Sequence, residues 1–153
     1  MEAINWGNGR GGAFHPGAPD ADDPENVPGP HVMADLENGV WAGDNATLNP
    51  TNTDVHATFV TAMLKGGPAG SNHWTIKGGD ATRAGALRTL FDGARPPNYS
   101  PMHKQGAIVL GIGGDNSDFG VGTFYEGCMT ASATSDATDA AVHANIAAAG
   151  YGK

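Results

Sequence analysis

His31-Val32-Met33-Ala34-Asp35-Leu36-Glu37-Asn38-Gly39-Val40-Trp41-Ala42 is the stretch on which the fold turns. In a strand successive side chains point to opposite faces, so residues i and i+2 share one. Read as a single strand from His31 to Ala42, the run sets Val32, Ala34 and Leu36 on one face and Asp35 and Glu37 on the other. Two like charges on one face of a largely apolar strand are costly unless that face is wet and functional. The stretch therefore predicts a half-buried strand with a working acidic face. Asp115, in Gly113-Gly114-Asp115-Asn116-Ser117, is the candidate partner from a distant part of the chain.

Working outward, Glu2 to Trp6 alternates in the same way, and Gly7 to Pro30 is a Gly- and Pro-rich loop carrying the acids Asp20, Asp22, Asp23 and Glu25. Those acids lack the ligand spacing and central glycine of an EF-hand loop, so they read as a solvated acidic loop. Ala57 to Lys65 and Asn72 to Lys77 alternate as strands, the second with Trp74 and Ile76 opposite His73, Thr75 and Lys77. Between Gly85 and Phe91, Leu87 and Leu90 are out of step and leave the assignment open. Gly106 to Ile112 is apolar on both parities, as a strand buried on both faces would be. Val121 to Thr130 reads as a further strand, with Cys128 a buried structural thiol. Ser135 reads as the N-cap of a terminal helix with Asp136 and Asp139 in its first turn. Val142, Ile146 and Ala149 form its apolar stripe and Gly150 its stop. About seven strands with long turns and one C-terminal helix predict an all-β sandwich.

Composition narrows the function. A chain of 153 residues holds one domain with a real core. Net charge of −8 and the lack of any Lys/Arg run disfavour nucleic acid or an anionic membrane as partner. No apolar run reaches the roughly 18 residues of a membrane helix. With 24 Gly, 10 Pro and only 16% charged residues, the profile suits a loop-rich secreted protein, whose signal peptide would lie upstream of Met1. Two sequons, Asn45-Ala46-Thr47 and Asn98-Tyr99-Ser100, fall in loops.

Most chemistries find no support. A single cysteine excludes an internal disulfide and a Cys-rich metal site. Six histidines stand singly without HxH or HExxH spacing, and no Gly-x-Ser-x-Gly elbow is present, so neither a metal nor a serine triad is implied. Gly111-Ile112-Gly113-Gly114 runs into Asp-Asn-Ser-Asp rather than a helix start, which argues against a dinucleotide site. Carboxylates remain, and glycoside hydrolysis needs two: one ionised, one held protonated, about 5 Å apart in a retaining enzyme. Sixteen acids leave the choice of pair open on spacing alone.

Several blocks resemble glycoside hydrolase family 54, the α-L-arabinofuranosidases. They include Met33-Ala34-Asp35-Leu36-Glu37-Asn38-Gly39, Gly93-Ala94-Arg95-Pro96, Gly106 to Ser117 (GAIVLGIGGDNS), Gly122-Thr123-Phe124-Tyr125-Glu126-Gly127 and Ser135-Asp136-Ala137-Thr138. The resemblance runs from end to end of the chain. It implies a concanavalin-like β-sandwich (jelly roll) that removes terminal α-L-arabinofuranosyl groups from arabinan- or arabinoxylan-type polysaccharide with retention of configuration and without a cofactor. It places the nucleophile on Glu37, the general acid/base on Asp115, and sugar contacts on Asp35, Asn38 and Gly114. For stacking on the sugar, Trp6 and Phe14 are alternatives. Family members have a longer N-terminal half of this domain, with a pair of adjacent cysteines, so residues 1–153 are expected to be the C-terminal half of a catalytic domain without a separate carbohydrate-binding domain. The alternative is a non-catalytic carbohydrate-binding sandwich of the same fold class, or an inactive fragment.

Overall fold

The computed structural model describes residues 3–7, 31–35, 40–41, 53–68, 70–95 and 123–153. Six strands and one helix lie within them: β1 (Ala3–Gly7), β2 (His31–Asp35), β3 (Val40–Trp41), β4 (Val60–Gly66), β5 (His73–Asp80), β6 (Arg88–Ala94) and α1 (Asp136–Ala149). They form two three-stranded antiparallel sheets, ordered β1-β2-β3 and β4-β5-β6.

The first correction concerns the stretch from His31 to Ala42. It is not one strand. β2 stops at Asp35, and β3 runs back along it with Asp35 opposite Val40 and Ala34 opposite Trp41. The chain thus reverses direction between Asp35 and Val40. Alternation cannot see this, because period two reads the same in either direction along a strand. The local signal was Asn38-Gly39, the dipeptide most favoured in tight hairpin turns. A common strand face for Asp35 and Glu37 therefore loses its basis.

The two sheets pack face to face, β2 against β4 and β5, and β1 against β4. Val32 and Ala34 of β2 meet Trp74 and Ile76 of β5, Leu90 of β6 and Val55 from the segment before β4. Val60, Ala62 and Leu64, the even residues of β4, close around this core. The expected inward face of β2 is thus confirmed for Val32 and Ala34, but His31 and Met33 are buried as well. Gly78 sets how closely the sheets approach. A Cβ there would lie 2.9 Å from Val32 Cγ2 and 3.2 Å from both Leu90 Cδ1 and Val55 Cγ2. The ambiguity around Leu87 and Leu90 resolves into β6, whose pairing with β5 slips between Ile76 and Lys77. Ile76 faces Phe91 and Lys77 faces Thr89, so Leu90 is the extra residue. Its side chain is buried in the core.

Helix α1 has the expected ends. The Ser135 hydroxyl accepts the Thr138 backbone N–H, and Gly150 closes the helix at φ 79° with its N–H on the Ala147 carbonyl. Its buried face differs from the expected stripe. Asp139 and His143 are buried, Val142 and Ile146 are half-buried, and Ala149 is exposed. A second correction falls on Val121 to Thr130: residues 123–130 join no strand ladder, and Phe124, Tyr125, Met129 and Cys128 are exposed. Tyr125 packs instead on Phe59 and Tyr151, with ring centroids 5.4 and 5.0 Å away. The expected strand from Gly106 to Ile112 lies outside the described residues, as does the expected Gly7–Pro30 loop apart from Gly7, which ends β1 opposite His31.

Candidate active site

Of the five residues proposed for sugar chemistry, the structure describes the backbone of one. Asp35 is the last residue of β2, paired with Ala3 on one side and Val40 on the other. Glu37, Asn38, Gly114 and Asp115 lie outside the described residues, as does Phe14. What the described part fixes is the mounting. Asp35 ends the central strand of its sheet, and that strand is anchored two and three residues earlier by side chains packed in the core and its margin, Met33 and Val32. An acidic residue at the end of a rigid strand is a sound place for a site, because the scaffold holds its backbone while the loop beyond carries the chemistry.

The described carboxylates can be tested for the acid role, which requires a carboxyl held protonated. Asp92 is held below the usual carboxylate range by hydrogen bonds from His73 and Thr75. Asp80 is lowered by the hydroxyl and backbone N–H of Thr82. Asp136 is lowered by its hydrogen bond from Lys77, then by the charges of Lys77 and Lys65. At Asp139, burial alone would raise the carboxyl, but hydrogen bonds from Lys65, Lys77 and Thr134 outweigh it and the net direction is down. All four stay ionised, so none of them is suited to donate a proton to a leaving group.

Asp136 and Asp139 form the densest charged group among the described residues. Lys77 Nζ lies 2.6 Å from Asp136 Oδ1 and 2.7 Å from Asp139 Oδ2, and Lys65 Nζ lies 2.6 Å from the same Asp139 oxygen. Thr134 Oγ1 donates to the other Asp139 oxygen. Burial alone would lower the Lys77 amine; the two aspartates reverse that and hold it up. Two lysines on one carboxylate pair make a neutralised joint rather than an acid/base pair. Sequence reasoning placed both aspartates in the first helical turn but missed their partners. The available signal was a lysine at Lys65 and at Lys77, on strands whose opposite parities are apolar. Among the described residues no three His, Cys, Asp or Glu side chains group as they would around a metal ion, and no helix is long and apolar enough to cross a membrane.

Comparison with known proteins supplies what the described geometry does not. The family model for the catalytic part of α-L-arabinofuranosidase B matches residues 1–152. That match, on an antiparallel sandwich, places the chain among the sequences of a glycosidase family. More particularly, the chain belongs to the α-L-arabinofuranosidase B catalytic family. It is 53% identical over 125 residues to an arabinofuranosidase/B-xylosidase of Trichoderma koningii, covering 80% of this chain and 24% of that protein. It is 46% identical over 151 residues to a probable α-L-arabinofuranosidase B of Aspergillus clavatus, covering 97% of this chain and 29% of the relative. A solved structure also superimposes, with a TM-score of 0.73 at 41% identity over 98% of this chain and 29% of that one. It is a glutamate-to-glutamine mutant of a GH54 α-L-arabinofuranosidase soaked with 4-nitrophenyl α-L-arabinofuranoside. The chain thus spans less than a third of the length of these relatives.

Proposed function

We propose that this chain is part of the catalytic domain of a secreted, retaining α-L-arabinofuranosidase acting on arabinose-bearing polysaccharide. The observation that carries it is the family match over residues 1–152, within which the acids of Asp35-Leu36-Glu37-Asn38 and Gly113-Gly114-Asp115-Asn116 stand. The 41% identity to a GH54 enzyme supports a concanavalin-like, jelly-roll arrangement of the sandwich. Its coverage, 29% of that chain, accords with residues 1–153 being one portion of a larger protein.

In this reading Glu37, ionised, attacks the anomeric carbon of the arabinofuranosyl group. Asp115, protonated, gives its proton to the leaving oxygen as the glycosidic bond breaks. The product is a glycosyl ester on Glu37 and a free alcohol. Asp115, now a carboxylate, takes a proton from water, whose oxygen attacks the same carbon and releases arabinose with its configuration retained. Asp35 and Asn38 accept and donate hydrogen bonds to sugar hydroxyls, and Gly114 leaves room beside the ring. The chemistry requires unequal carboxyls: a neighbouring carboxylate raises the pKa of its partner, which favours a protonated Asp115 beside an ionised Glu37. Use of a glutamate-to-glutamine mutant for the substrate soak of the GH54 relative accords with a glutamate nucleophile in that enzyme.

The test is kinetic, in the full-length protein. Glu37→Gln should abolish hydrolysis of 4-nitrophenyl α-L-arabinofuranoside. Asp115→Asn should cut turnover of arabinan by roughly 10²–10⁴-fold and of the activated aryl substrate much less, since nitrophenolate leaves without a proton. Unchanged turnover in Glu37→Gln overturns the nucleophile assignment, and arabinan binding without any turnover by the unaltered protein would favour a non-catalytic sugar-binding role.

A further inference from the structure

Helix α1 meets the sheet unlike any other element described. The six residues that form the buried hydrophobic core include none from α1. The helix instead rests on the opposite face of the β4-β5-β6 sheet, where Thr61 and Lys65 of β4 and Lys77 of β5 receive it. Its two buried side chains, Asp139 and His143, are both polar. Asp139 takes Lys65 and Lys77 on one oxygen and Thr134 on the other, and His143 Nδ1 shares a 3.1 Å hydrogen bond with the Thr61 hydroxyl. At the far end Tyr151 stacks on Phe59 at 5.8 Å and donates to Glu126 at 2.6 Å, a contact on the protein surface.

Three physical consequences follow. Removing α1 uncovers no part of the inter-sheet core, so the sandwich keeps its main source of stability. The face it would bare holds Thr61, Lys65 and Lys77 together with the apolar Met63 and Leu87, the latter beside His143 next to Gly79, so it carries far less apolar area than the inter-sheet layer and accepts water at smaller cost. Separated Lys and Asp also regain hydration, which offsets much of the lost attraction of a buried ion pair. Meanwhile both helix ends are satisfied within the segment itself, by Ser135 and Gly150, rather than by the sheet.

We propose that α1 is a detachable strap: it leaves and returns to the outer face of the β4-β5-β6 sheet as one unit, fastened chiefly where Asp139 sits between Lys65 and Lys77, while the two sheets stay packed. Opening of this kind is a sub-global unfolding event, with a free energy below that of the whole fold. Asp136, 88% exposed by side chain, lies on the open side of the fastening and so is a route by which water enters it.

Native-state hydrogen exchange on the full chain, followed by mass spectrometry across increasing urea, tests this directly. The expected result is that α1 amides exchange through an opening with a small urea dependence while the β4–β5 ladder stays protected. Exchange of α1 and β5 through one opening of equal urea dependence overturns the proposal, and no variant is needed to see it. Asp139→Asn should then speed α1 exchange by about 10- to 100-fold while that exchange keeps its small urea dependence. Unchanged α1 exchange, or acceleration only through an opening with the urea dependence of β5, refutes the Asp139 fastening.

Discussion

The two faces of the β4-β5-β6 sheet are held by opposite chemistries. Trp74 and Ile76 of β5 enter the apolar layer between the sheets, whereas Lys77, one residue on, enters an ion cluster beneath α1. The apolar layer is non-directional and fills space with Val32, Ala34 and Leu90; its strength scales with area removed from water. The polar layer is directional and concentrated on one carboxylate, Asp139, and its net worth is what remains after desolvation. The difference teaches where each interface is vulnerable: the first fails by losing volume, the second by losing a single partner.

Trp74→Ala should have the largest effect. Trp74 is 1% exposed at the centre of the apolar layer, so truncation should cost about 3–5 kcal/mol. Urea unfolding should show the loss equally by tyrosine fluorescence and far-ultraviolet circular dichroism, because the whole sandwich goes. Asp139→Asn should come next, at about 3 kcal/mol, and should separate the probes. Helical signal at 222 nm should fall early while tryptophan fluorescence from Trp74 holds; coincident loss would erase the contrast between the two faces.

Acid makes the same cut without mutation. Asp136 and Asp139 are held below their ordinary value of 3.8, so their contribution is complete above that pH and disappears as pH falls through the lower native values. Lys77 is held above 10.5, so its contribution is complete below 10.5 and is lost as pH rises past the native value. The 222 nm signal should therefore be flat between about pH 4.5 and 9.5 and fall first at the acid end.

Gly78→Ala probes the apolar face from the other direction. The added methyl would press on Val32, Leu90 and Val55, and overpacking of this kind should cost about 2 kcal/mol by urea midpoint. Ser135→Ala is the smallest: removing the hydroxyl that accepts the Thr138 N–H should cost about 1 kcal/mol. Its effect should be a roughly fivefold faster α1 exchange that keeps its small urea dependence.

Much of this was legible in the chain. Alternation identified β1, β4 and β5 as strands and set Trp74 and Ile76 on one face of β5, and Ser135 and Gly150 marked both ends of α1. The functional reading came from blocks of sequence rather than periodicity, since spacing alone left sixteen acids to choose among. Local reasoning failed at Thr123–Thr130, where a strand-like composition instead sends Tyr125 to an aromatic cluster with Phe59 and Tyr151.

By itself, then, the sequence determined which residues can alternate, where a helix can start and stop, and the family to which its acidic blocks belong. These depend on neighbours a few positions away. Tertiary structure decided that the run through Asp35 doubles back before Val40, at which Asn38-Gly39 only hinted, and it alone decided that Lys65 and Lys77 share an aspartate. Asp139 lies 74 and 62 residues from those lysines. Period two carries no sense of chain direction, and a charge carries no address for its partner. Only packing supplies both.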